Sequence, residues 1–166
     1  MKLFYREFGS GQPVIILHGL FGQSDNWVTV ARRIADQFHV YIPDQRNHGQ
    51  SPHASVHSFP AMADDLSVFI EEHNIVNPII IGHSMGGKTA MTYALENAGD
   101  VKKLIVIDIS PRRYPERKIH TQVISQMMSI DLDSVTTRTE VEKILDSQIP
   151  DSRVRMFIMK NLYYKI

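Results

Sequence analysis

The 166-residue chain contains no cysteine, which excludes disulfides, thiolate metal sites and a cysteine nucleophile together. It has no apolar run of the length that spans a bilayer. The amino-terminal stretch MKLFYREFGSG carries Lys2, Arg6 and Glu7 without an apolar segment between them, so a secretory signal is not expected. Charge of one sign is not in excess either. Lys plus Arg and Asp plus Glu number 18 each, which removes bulk attraction to nucleic acid or anionic membranes. What remains is 43% hydrophobic and 22% charged residues, ordinary values for a soluble globular protein. A soluble, cytoplasmic α/β protein without a membrane span is the expectation.

Strand and helix signals alternate over the first two thirds of the chain. Residues 3–8, 14–17, 38–44, 77–82 and 102–108 read as strands, the second a continuous apolar run of the kind buried on both faces. Between them, a helix from Ser24 or Asp25 to about Gln37 carries Trp27, Val30, Ala31 and Ile34 on one face. Helices over about 60–73 and 85–97 follow. This alternation predicts a mostly parallel sheet with helices on both faces. After Pro111 only helical periodicity remains, with breaks near 129–134 and Pro150. The division expected is an α/β core over 1–110 and a helical segment over 111–166.

Two chemically unrelated motifs overlap in IIIGHSMGGKT (79–89). Gly82-His83-Ser84-Met85-Gly86 fits G-x-S-x-G, in which a serine nucleophile sits at a sharp strand-to-helix turn. Gly82 through Thr89 also fits the phosphate loop G-x-x-x-x-G-K-[ST], with KLIVID as a candidate Mg²⁺-binding strand ending in Asp108. Three features favour the elbow. A phosphate loop usually follows the first strand of its domain, whereas this one follows two β-α units. The nucleotide reading leaves the blocks at 17–22 and 44–51 unexplained. The elbow accounts for Gly82 and Gly86 together, as positions where a side chain would clash in a tight turn. It also accounts for the small-residue face Gly86, Ala90, Ala94. Lys88 is then a solvated helix residue.

In the elbow reading, the N–H of Met85 is one oxyanion donor, because the residue after the nucleophile opens the helix. LHGLFG (17–22) follows an apolar strand, and Gly19 lets the backbone turn an N–H towards the elbow. Leu20 is the preferred second donor, with Phe21 the alternative. DQRNHGQS (44–51) reads as scaffold: Asp44 and Arg46 are expected to pair, Gly49 to turn the chain and Ser51 to bond locally. Asp64 and Asp65 are expected on a solvated helix face. Met127, Met128, Met156 and Met159, with Phe157, Leu162 and Tyr163, either pack the helical segment or line an acyl pocket, since methionine adapts to irregular apolar surfaces.

The blocks HGLFGQSDNW, DQRNHGQSPH, GHSMGGKTAM and VIDISP occur in this order along the chain. In that arrangement it resembles α/β-hydrolase-fold esterases, and more narrowly small bacterial esterases and acyl-CoA thioesterase-like members. The resemblance implies an α/β-hydrolase core followed by the start of a helical cap. It implies a carboxylic ester hydrolase that forms an acyl-enzyme on Ser84, with Asp108 as the triad acid. A small ester or acyl-CoA-like substrate is implied, and no cofactor or metal.

The chain departs from the family in one respect. The triad order is serine, acid, histidine, and no histidine follows His120. His18 belongs to the oxyanion turn, and His83 alternates to the face away from Ser84, so neither is placed to serve as base. The expectation is a chain truncated at its carboxyl end, impaired or inactive alone, and completed by self-association or by a C-terminal segment supplying strands and the histidine. A non-catalytic, hydrolase-like binding protein is the alternative.

Overall fold

The computed structural model describes residues 1–114 and 118–163. They fall into two compact units, Met1–Pro111 and Arg112–Ile166. The first unit is built on a five-stranded sheet in the order β1-β3-β2-β4-β5. Its strands are β1 (Tyr5–Phe8), β2 (Gln12–Leu17), β3 (Phe38–Pro43), β4 (Ile79–His83) and β5 (Lys103–Ile107). β2 to β5 run parallel, and β1 pairs antiparallel with β3.

Side-chain alternation divides the apolar residues of β2 between two cores, as a pleated strand requires. Ile15 and Leu17 face Leu66 and Phe69 of α2 (Phe59–Glu72) and Ala90 and Tyr93 of α3 (Met85–Glu96). Val14 and Ile16 face Ala31 of α1 (Val28–Ile34), with Val40 and Ile42 of β3 beside them. Burial of each such Ile, Leu or Phe side chain contributes roughly 1.5–3 kcal/mol. β5 differs: Leu104, Ile105 and Ile107 are all exposed, and its described pairing is with β4 alone.

The first helix starts differently from the sequence expectation. Ser24–Trp27 form a 3-10 turn before α1, and the cap is Gln23, in a reciprocal capping box with Asn26. Ser24 lies inside this turn and not ahead of it, and its backbone N–H donates to the buried Asp44 carboxylate at 2.5 Å.

The second unit contains α4 (Lys118–Met128), α5 (Arg138–Asp146) and α6 (Ser152–Ile158). Thr137 and Glu140 form a capping box at α5, the sequence-readable signature of a helix start. Val123, Val141, Leu145, Ile149, Ile158 and Met159 are buried. The methionines divide: Met159 packs inside, whereas Met128 and Met156 are exposed. Part of the helical stretch expected from about 112 onward lies outside the described residues, at 115–117 and 164–166. Among the described residues, no helix is long and apolar enough to cross a membrane.

Candidate active site

Ser84 is the only residue between β4 and α3. Its backbone is at φ 50, ψ −113, a region that non-glycine residues avoid and that costs of order 1–3 kcal/mol. Two close approaches force the turn. A Cβ on Gly82 would collide with the backbone of Gly86, and a Cβ on Gly86 would collide with the carbonyls of Leu17 and His18. The helix thus lies directly against the ends of β2 and β4, which only glycine at both positions permits. Ala90 is fully buried on the same face.

The Ser84 N–H donates to the Ile107 carbonyl at 3.0 Å, extending the β4–β5 register in which His83 pairs with Ile107. Asp108 follows immediately, exposed and itself in the left-handed region at φ 56. Across the sheet, Gly19 to Gly22 form a turn closed by the Gly22 N–H on the Gly19 carbonyl at 3.0 Å. Leu20 and Phe21 are its central residues, and Phe21 sits at φ 61. A Cβ on Gly19 would lie 2.9 Å from His83 Nδ1 and 3.4 Å from Ser84 Cβ, so the turn passes directly over the elbow. Met85 opens α3, where an N–H has no partner one turn earlier in the helix.

Phe21, Asn47, Ser84 and Asp108 are all non-glycine residues at positive φ, and they follow β2, β3, β4 and β5 respectively. Strained residues therefore cluster beyond the carboxyl ends of four parallel strands, the side on which open α/β sheets bind ligands. That concentration of strain was not readable from the sequence, because Phe, Asn, Ser and Asp carry no common signal for it.

The histidines nearest Ser84 are otherwise engaged. His83 lies on the face shared by Ile79 and Ile81, with its ring 6.2 Å from Trp27. The His18 ring is fully buried and bonds through both nitrogens to backbone, at Gly19 and Gln45. Burial lowers its pKa to about 3, with smaller contributions from His48 and His83. Among the described residues no histidine ring is hydrogen-bonded to the Ser84 hydroxyl.

Two expectations about the scaffold are corrected. Arg46 pairs with Asp65 at 2.5 Å, not with Asp44. Asp65 is consequently buried and also receives the Met1 ammonium at 2.8 Å, so it is no solvated helix residue. Asp44 instead accepts the backbone N–H groups of Ser24 and Gln50. The Arg46 guanidinium is held by Asp65 and the Val56 carbonyl. Gly49 turns the chain at φ 55, and Ser51 donates to the Asp44 carbonyl while accepting from Phe4 N–H. His53 and His57 stand four apart, a spacing that gathers ligands on a helix, but here both lie in a loop. Among the described residues, no group of three or more His, Asp or Glu side chains is placed to hold a metal ion.

The geometry also bears on phosphate binding. With one residue between strand and helix, no run of loop N–H groups is available to wrap a triphosphate. Thr89 is buried, its hydroxyl donating to Gln45. Calorimetry with Mg-ATP and Mg-GTP is expected to show no saturable heat at millimolar ligand. Micromolar binding abolished by Lys88→Ala would overturn this reading.

Comparison with known proteins agrees with this architecture. The sequence model of the family described as the alpha/beta hydrolase fold matches residues 12–155. The chain is 35% identical over 158 residues to the sn-1-specific diacylglycerol lipase ABHD11 of Xenopus laevis, covering 92% of this chain and 51% of the relative. It is 32% identical over 152 residues to esterase YbfF of Escherichia coli, covering 92% and 59% respectively. A solved marine microorganism esterase superposes with a TM-score of 0.96 at 47% identity, covering 99% of this chain and 65% of that one. The chain thus spans about half the length of the curated lipase that it matches. By its fold and by these similarities, the chain belongs to the alpha/beta hydrolase fold family, resembling the small esterases within it.

Proposed function

We propose that Ser84 is the nucleophile of a serine esterase or thioesterase and attacks the carbonyl of a small ester or acyl-CoA-like substrate. The observation that carries this reading is the strained, one-residue elbow at Ser84 lying beneath the Gly19–Gly22 turn. The N–H groups of Met85 and Leu20 stabilise the tetrahedral oxyanion, with Phe21 as the alternative second donor. Asp108, in register beside Ser84, orients the histidine that takes the serine proton. Among the described residues no histidine ring bonds to the Ser84 hydroxyl, and the His18 ring is tied to backbone through both nitrogens, so this reading requires a base other than His18. Water then releases the acyl group without a cofactor.

The same lack of a bonded histidine favours a second reading, a hydrolase-like protein that binds and does not cleave. Imidazole as a surrogate base separates the two. Ser84-dependent release from p-nitrophenyl esters or acyl thioesters on adding imidazole supports the enzyme. Release unaffected by Ser84→Ala, or no release at all, supports the binding protein.

Completion by another chain is supported by β5. An edge strand with Leu104, Ile105 and Ile107 exposed offers a row of backbone groups for pairing. Oligomers are expected in light scattering as concentration rises. A monodisperse monomer at high concentration would contradict edge pairing between copies.

A further inference from the structure

His18 ends the β2 segment with both ring nitrogens in use. Its Nε2 lies 3.0 Å from the Gln45 backbone N–H, and a backbone N–H can only donate. The ring proton therefore sits on Nδ1, which donates to the Gly19 carbonyl at 2.9 Å. That carbonyl is the one closing the Gly19–Gly22 turn. Gln45 adds a second tie through its side chain. Its Nε2 donates to the His18 carbonyl at 2.7 Å, and its Oε1 accepts from the Thr89 hydroxyl at 2.9 Å. The orientation of the amide is fixed, because the His18 carbonyl can only accept. His18, Gln45 and Thr89 are all buried. They come from three segments: the end of β2, the end of β3, and the second turn of the helix that Ser84 opens.

On the reading of Ser84 as nucleophile, we propose that Gln45 is a positioning residue that fixes the Gly19–Gly22 turn against helix α3, through His18 on one side and Thr89 on the other. The two proposed oxyanion donors stand on these two elements, Leu20 on the turn and Met85 on the helix. The Gln45 amide links them with one donor and one acceptor, both shielded from water, where a lost partner leaves a buried group unsatisfied. A glutamine serving only to satisfy stray polar groups would not need to bridge these two elements. Thr89 has a fallback within its own helix, since its hydroxyl also lies 3.3 Å from the Met85 carbonyl. Breaking the bridge therefore frees the turn without stranding the helix.

The test uses Gln45→Met, which keeps the side-chain volume and removes both bonds, together with Thr89→Val and the double variant. Amide hydrogen exchange of the 166-residue chain is read at Gly22, whose N–H closes the turn on the Gly19 carbonyl, and, as reference, at Ile15 and Ile80 in the buried strands. Gln45→Met should speed exchange at the turn about tenfold, the equivalent of one net hydrogen bond, and leave the strands unchanged. Thr89→Val should act in the same direction, and the double variant should exchange no faster than Gln45→Met, because both break one bridge. The ¹⁵N signals of the His18 ring should show the neutral Nδ1–H form at pH 7. Fluorophosphonate labelling of Ser84 should slow by a similar factor in the folded variants, an effect that simple loss of stability does not give. Unchanged exchange at the turn, acceleration spread evenly through the strands, additive effects, or an Nε2–H ring would each overturn the proposal. If Gln45→Met fails to fold, Thr89→Val alone decides by the same criteria. Absence of any labelling in the parent chain counts against Ser84 as nucleophile, while the exchange data still decide whether Gln45 couples the two elements.

Discussion

The 166-residue chain by itself is expected to hydrolyse p-nitrophenyl butyrate at no more than a trace rate. Serine at its free pKa is a weak nucleophile and needs a base within hydrogen-bond reach. Among the described residues, Ser84 has no histidine bonded to its hydroxyl. His18 is locked between two backbone groups, and His83 is turned to the α1 face. In a model serine protease, loss of the histidine costs on the order of 10⁶ in kcat. Oxyanion stabilisation and binding alone retain roughly 10³–10⁴ over water. Both residual contributions are available here if the Gly19–Gly22 turn and the start of α3 supply the donors. Turnover at ordinary esterase rates, abolished by Ser84→Ala, would mean that a histidine of this chain acts as the base after all.

Acid is expected to destabilise the fold well before its carboxylates titrate. His18 is held neutral, its pKa lowered to about 3 from 6.5 chiefly by burial. Burial also lowers His48, whose ring lies tilted against His18 with centroids 5.2 Å apart. The unfolded chain therefore binds more protons than the folded one below pH 6.5. The stability that depends on neutral His18 is fully present above pH 6.5 and is lost progressively as pH falls towards about 3. Complete loss corresponds to about 5 kcal/mol, a substantial part of a typical domain's stability. Urea midpoints measured at pH 7.5 and pH 5 should fall with acidification, by about 2 kcal/mol of stability from His18 alone. His18→Asn should be less stable at pH 7.5 but flatter with pH. A midpoint unchanged or rising towards pH 5 would contradict the buried neutral ring.

Much of this arrangement was legible in the sequence, for identifiable reasons. Glycines 82 and 86 announced the elbow because a tight strand-to-helix turn excludes Cβ atoms there, and the structure has them against the carbonyls of Leu17, His18 and Gly86. Continuous apolar runs announced β2 and β4 because both faces of a central parallel strand are covered. Pairings between distant segments were not legible. Asp65 is the seventh residue of a regular helix, and nothing local distinguishes it from Asp64, yet Arg46 draws it into the interior. Gln45 stands between two charged residues and looks like loop surface. Its burial follows from three segments converging at the strand ends, a tertiary fact that no window of sequence contains.

Covalent capture tests the nucleophile most directly. The intact 166-residue chain, incubated for hours with excess fluorophosphonate, is digested and the adduct located by mass spectrometry. A single, slowly formed adduct on Ser84, accelerated by imidazole and absent from Ser84→Ala, is the predicted result. No adduct on Ser84 after exhaustive incubation with imidazole, or an equal spread over other serines and tyrosines, would contradict the assignment of Ser84 as the residue that attacks the acyl group.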